Sequence, residues 1–140
     1  MVVAVFGSPT REQNMSQTPS NIQRAAVIGA GTMGRGIVMC LANAGVAVQW
    51  VDNNPQMLEQ ALATVADTYA HNVRQGRIDQ GEADARVARV TAAEGYAAIR
   101  DVDLVIEAVY ENLELKQKIF RELDDLLKPE AILALSLIHI

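Results

Sequence analysis

A short apolar run, Ala25-Ala26-Val27-Ile28, empties directly into Gly29-Ala30-Gly31-Thr32-Met33-Gly34, and small and apolar residues resume at once through Ile37, Val38, Leu41 and Ala42. Few local folds accommodate that order. It reads as strand, tight turn and helix, with a separate task for each glycine: Gly29 lets the chain turn sharply, Gly31 removes a side chain that would hold a pyrophosphate off the backbone, and Gly34 lets the helix lie close on the strand. The amides that open the helix, among Ala30, Thr32 and Met33, then receive the phosphate charge. Glycines at this spacing also punctuate plain turns, and the continuation of the chain separates the two cases. A second apolar run, Val46-Ala47-Val48-Gln49-Trp50-Val51, ends in Asp52. A carboxylate at the tip of that second strand accepts both ribose hydroxyls of an adenosine and repels a 2′-phosphate, so the pattern predicts a dinucleotide site that takes NAD in preference to NADP.

The remaining composition narrows the class. With 140 residues, half of them apolar, the chain has room for one domain and its core. A formal net charge of −5 argues against nucleic acid or an anionic membrane as a partner held by general electrostatics. The single cysteine, Cys40, has no disulfide partner and is read as a small buried hydrophobe. Without a disulfide framework or a secretion signal, the expected location is cytoplasmic.

Residues 1–21 differ from the rest. Met1-Val2-Val3-Ala4-Val5-Phe6 is too short for a signal-peptide core, and the polar stretch from Pro9 to Asn21 has no period. The expectation is a disordered or spurious extension, with Met15 as an alternative start. After the glycine turn, a helix is expected from Thr32 to Ala44, stopped by Gly45. Pro55 opens a longer helix whose Leu58, Ala61, Leu62, Val65 and Tyr69 keep a helical apolar spacing. Met33, Met39 and Met57 are read as packing residues. Residues 54–90 exceed one crossover helix and predict two antiparallel helices projecting from the sheet edge, joined near Gly76, the second starting at Gly81. Arg74 and Arg77 on this projection are either solvated surface charges or contacts for an anionic substrate, and His71 is read as structural.

Leu104-Val105-Ile106-Glu107-Ala108-Val109 suits a parallel strand covered on both faces, with Glu107 near its carboxyl end because a dry, unpaired carboxylate is costly. Asn112 is a candidate cap for a helix that buries Phe120, Leu123 and Leu127, widened by Ile119 and Leu126. Glu111 and Lys116 flank its start, and spacing alone leaves open whether they serve a ligand or are unrelated surface charges. Ala131-Ile132-Leu133-Ala134 begins another strand. The order β-α-β-α-α-β-α-β, with a short strand near Thr91, predicts an α/β fold of Rossmann type, a doubly wound parallel sheet.

The blocks Ala26-Val27-Ile28-Gly29-Ala30-Gly31-Thr32-Met33-Gly34, Asp52, and Asp103-Leu104-Val105-Ile106-Glu107-Ala108-Val109-Tyr110-Glu111-Asn112 followed by Lys116 resemble the nicotinamide-nucleotide-binding domain of 3-hydroxyacyl-CoA dehydrogenases. The likeness spans about Gln23 to Ala134. It implies an NAD-dependent interconversion of (3S)-3-hydroxyacyl-CoA and 3-oxoacyl-CoA. It also implies ribose binding by Asp52, cofactor contacts toward the nicotinamide by Glu111 and Lys116, and a helix pair that helps to hold coenzyme A. In that pair Thr68 and Gln75 stand where family members carry serine and lysine, and both are weak candidates for substrate binding. The family's next motif, Ser-Asn-Thr-Ser, is replaced by Leu135-Ser136-Leu137-Ile138-His139-Ile140, which matches the translation of a transposon-end sequencing adapter. Residues 135–140 are therefore read as a non-native tail, residues 22–134 as a partial binding domain, and no residue is assigned a catalytic role. The resemblance implies an acyl-CoA substrate and a homodimer formed through a further carboxy-terminal domain. A related sugar-acid dehydrogenase, or a nucleotide-binding module without catalysis, are the alternatives.

Overall fold

Successive residues of a strand point to opposite faces, so Val27 and Ile28 must each meet a different layer of helices. The structure, a computed structural model, describes residues 2–5, 22–108 and 113–137. Strands β1 (Val2–Val5), β2 (Arg24–Ile28), β3 (Ala47–Val51), β4 (Val90–Ala92), β5 (Leu104–Glu107) and β6 (Ile132–Leu137) form one sheet in the order β1-β6-β5-β2-β3-β4. All neighbours are parallel except β1 and β6. Helices α1 (Thr32–Asn43), α2 (Pro55–Arg74), α3 (Gln80–Ala88) and α4 (Leu113–Leu126) connect them. On one face Val27, Val48 and Trp50 pack with Val38, Leu58, Val65, Tyr69 and Ala83. On the other, Ala26, Ile28 and Val105 pack with Ile99, Ile119, Leu123 and Leu127. This is the doubly wound sheet expected. The chain moves outward from β2 to β3 and β4, then returns to β5 and β6 beyond β2, so a crevice opens past the carboxyl ends of β2 and β5.

Local chemistry sets the helix ends. Gly45, at φ +88°, follows α1 as expected. Asn54 caps α2, its Oδ1 accepting from the amides of Gln56 and Met57, with Pro55 in the first turn. Helix α3 starts at Gln80 rather than Gly81, because the Asp79 carboxylate accepts from the Glu82 amide at 2.7 Å and caps it. The Tyr69 hydroxyl donates to Asn43 Oδ1 at 2.6 Å, and Arg86 donates to the same oxygen, so α2 and α3 are both tied to the end of α1. Beyond Tyr69 the pair still packs Val73, Ile78 and Ala83 on the core, while His71, Arg74, Gln75 and Arg77 are exposed.

Several expectations change. Val2–Val5 is an edge strand, antiparallel to β6 from Ala134 to Leu137, and not disordered. The free row of backbone groups on β6 is a template that an apolar extended segment satisfies. Residues 6–21 lie outside the described residues. Leu135, Ser136 and Leu137 continue β6, while 138–140, with His139, lie outside the described residues. Cys40 is exposed, since α1 buries only Gly34, Val38 and Ala42. Met57 is 44% exposed and is no core residue. A 3₁₀ turn at Tyr96–Ile99, unforeseen in the sequence, covers part of the second face. Among the described residues, no helix is long and apolar enough to cross a membrane.

Candidate functional site

The glycine turn is built by hydrogen bonds from three directions. The Gly29 amide donates to the Val51 carbonyl at 2.8 Å, and Trp50 Nε1 donates to the Gly29 carbonyl at 2.8 Å. Gly29 itself sits at φ +112°, a region closed to most side chains. A Cβ on Gly34 would collide with the Gly29 carbonyl oxygen, whereas one on Gly31 would meet nothing within 4 Å. Close packing explains Gly34; at Gly31 the absent side chain leaves open space. Gly31 is also the N-cap of α1, with no side-chain cap and no acidic residue in the first turn. Side chains cap α2 and α3, whereas the N-cap of α1 is a glycine with no side-chain acceptor to offer.

Asp52 stands directly beyond β3. Its Oδ2 accepts from the Ala30 amide and its Oδ1 from the Asn54 amide, both at 2.8 Å. Each carboxylate oxygen keeps a further acceptor site. A cavity of about 760 Å³ gathers Gly29, Ala30, Gly31, Thr32, Met33 and Asp52 in one lining, while Gly34 is packed beneath them. That volume lies in the range of small-molecule and cofactor sites. An open cradle at Gly31, a glycine-capped helix start and a half-buried carboxylate suit the pyrophosphate and ribose of a dinucleotide.

Glu107 ends β5 fully buried, beside the register partner Ile28, and its carboxylate lies 3.6 Å from Lys116 Nζ. Lys116 is itself 7% exposed. The cavity side of α4 is formed instead by Lys118, Ile119 and Glu122. Glu111 lies outside the described residues. Thr68, on α2, donates its hydroxyl to the Thr64 carbonyl at 2.8 Å, and Gln75 is the exposed C-cap of that helix; neither lines the cavity. Tyr96, Lys118 and Glu122 escaped the sequence reading. A helical phase count would have shown that Lys118 and Glu122 share a face, but only the fold turns that face to the crevice. The Tyr96 phenol is pushed above its ordinary value by burial, and further by the charges of Glu122, Glu107 and Asp52.

A profile of the family described as "3-hydroxyacyl-CoA dehydrogenase, NAD binding domain" matches residues 24–137. The chain is 39% identical over 132 residues to the peroxisomal bifunctional enzyme of Danio rerio, covering 89% of this chain and 17% of that protein. It is 40% identical over 113 residues to the 3-hydroxybutyryl-CoA dehydrogenase of Bradyrhizobium diazoefficiens, covering 81% of this chain and 39% of that one. The crystal structure of 3-hydroxybutyryl-CoA dehydrogenase from Escherichia coli K12 superposes with a TM-score of 0.78 at 32% identity, over 81% of this chain and 24% of the other. The cytoplasmic expectation is corrected by these relatives: the Danio rerio protein and several plant multifunctional proteins are named peroxisomal or glyoxysomal. A lone thiol tells a reducing compartment from an oxidising one, and does not distinguish between reducing compartments. With its glycine turn, its acidic strand tip and the profile match running through most of its length, the chain belongs to the 3-hydroxyacyl-CoA dehydrogenase family, through that family's NAD-binding domain.

Proposed function

We propose that this chain binds NAD as the cofactor-holding part of an oxidoreductase that interconverts (3S)-3-hydroxyacyl-CoA and 3-oxoacyl-CoA. The observation that carries the reading is the single cavity in which the open Gly31 cradle and Asp52 meet. Thr32, Met33 and their neighbours in the turn hold the pyrophosphate through backbone amides; Ala30 lines the same cavity, its own amide donating to Asp52, and Asp52 accepts from the adenosine ribose. Glu111 and Lys116 act toward the nicotinamide, Lys116 with Glu107 behind it. When bound, NAD supplies the acceptor for the hydride leaving C3 of the substrate. Thr68, half-buried on α2, and Gln75, exposed at the end of that helix, are the candidates for coenzyme A contacts. Homodimerisation through a further domain belongs to the same proposal.

Taking a proton from the 3-hydroxyl needs a base within hydrogen-bond reach. No histidine is among the described residues lining the cavity, and His71 is exposed on the distal part of α2. The 140-residue chain is therefore expected to bind NAD without turning over 3-hydroxybutyryl-CoA at an enzyme-like rate. The test titrates it with NAD and NADP at fixed ionic strength, then follows reduced nicotinamide by absorbance with substrate present. NAD should bind tighter, and Asp52→Ala should weaken NAD and narrow the difference. Equal or tighter NADP binding defeats the role given to Asp52. Brisk turnover abolished by His71→Ala defeats the reading of the base.

A further inference from the structure

We propose that Glu107 is a positioning residue for the nicotinamide half of the cofactor: its buried carboxylate holds the Lys116 ammonium in place, and that hold sets how tightly this half binds. The inference rests on the NAD reading above and on the contact given there to Lys116. Among the described residues, Glu107 and Lys116 are the two charged side chains that the fold buries. Burying them takes both charges out of water, and replacing such a pair by apolar side chains of similar size is often neutral or stabilising. Core stability therefore gives no reason for this pair. Buried, interacting charge of this kind gathers at functional sites.

The sheet puts the pair on the far side of the turn from Asp52. In the order β5-β2-β3, Glu107 ends β5 and Asp52 follows β3, with the glycine turn leaving β2 between them. A dinucleotide laid across this switch point has its pyrophosphate on the turn, its adenosine half toward β3 and its other half toward β5. Ile28, the register partner of Glu107, and Ala108, which follows it, both line the cavity, so the fully buried Glu107 stands immediately behind that wall. Lys116 comes to it from α4, with Nζ 3.6 Å from the carboxylate. The more exposed pairs Arg86–Glu82, at 2.8 Å, and Lys128–Asp103, at 2.7 Å, are at hydrogen-bond length. At 3.6 Å the Glu107 carboxylate holds the ammonium by charge, and this contact fixes the direction of none of its three donors. A ribose hydroxyl or a carboxamide oxygen is an acceptor for one of them.

The test compares NAD with ADP, which carries the adenosine and pyrophosphate without the nicotinamide half, by calorimetry on the 140-residue chain, with thermal melting of every variant. Glu107→Gln should weaken NAD about tenfold and leave ADP within about twofold of the parent. Lys116→Met should show the same split. The double variant, Glu107→Gln with Lys116→Met, should bind NAD as Lys116→Met alone does, because Glu107 acts through Lys116. With both charges gone it should also melt above Lys116→Met, so that stability recovers while NAD affinity does not. A merely structural ion pair would return affinity together with stability, and this comparison stays readable where Glu107→Gln alone fails to fold. Equal losses of NAD and ADP in Glu107→Gln, or unchanged NAD affinity there, overturn the positioning role. So does NAD affinity in the double variant that either recovers or falls below that of Lys116→Met. All of these leave the NAD assignment standing. Binding of neither NAD nor ADP by the parent chain overturns both.

Discussion

A single methyl group separates the tasks of two glycines in the turn. At Gly34 it would strike the Gly29 carbonyl oxygen, the acceptor for Trp50 Nε1. Gly34→Ala is therefore expected to destabilise the fold by about 1–3 kcal/mol through overpacking, a loss visible in urea denaturation. At Gly31 the methyl would meet no protein atom, and φ −77° suits alanine. Gly31→Ala should keep parental stability and lose about tenfold in NAD affinity. If its affinity matched the parent's, the open space would not be where the pyrophosphate lies. Lys116 calls for the same separation of stability from binding. Glu107 is fully buried beside it, so Lys116→Met should cost about 3 kcal/mol of stability. A binding loss in that variant has meaning only where thermal melting shows it folded.

Among elements, the amino-terminal rim of the sheet is clamped by one side chain. Asp103 Oδ2 accepts from the amides of Gln23 and Arg24, and its Oδ1 accepts from Lys128 Nζ at 2.7 Å. These bonds join the starts of β2 and β5 to the chain leaving α4. Partial burial pushes the carboxyl up, but the Lys128 hydrogen bond and the two amides outweigh it and hold the pKa below the ordinary value. A folded pKa below the unfolded one gives stability that is fully present above the unfolded value and is lost as pH falls through the folded value. Asp103→Asn should cost about 1–2 kcal/mol at neutral pH, and the gap between variant and parent should close as pH drops below about 4. Chemical denaturation at a series of pH values measures it. NAD affinity should not move, because the cavity lies at the opposite, carboxyl ends of the strands. The far end of α1 gives a second case: Tyr69, its phenol raised above the usual range chiefly by burial, donates to Asn43. Tyr69→Phe should cost about 1 kcal/mol, read by the same denaturation.

For the whole molecule, β1 covers the outer edge of β6. Removing residues 1–5 should uncover that edge, lower the melting temperature and promote self-association, seen by sedimentation, with NAD affinity preserved because β5 lies between β6 and β2. An unchanged melt would show that the β1–β6 pairing contributes nothing in solution. Local sequence was enough for what local chemistry controls. Gly29, Gly31, Gly34 and Asp52 announced the turn and the strand tip, Pro55 the long helix, and the apolar periods the two-faced sheet, because each depends on backbone freedom or on which face a residue presents. The partner of Val2–Val5, the exposure of Cys40 and Met57, the burial of Lys116 against Glu107, and the approach of Tyr96, Lys118 and Glu122 to the cavity were decided only by tertiary structure. Each of those depends on which distant element comes to lie across from it, and neither composition nor periodicity carries that information.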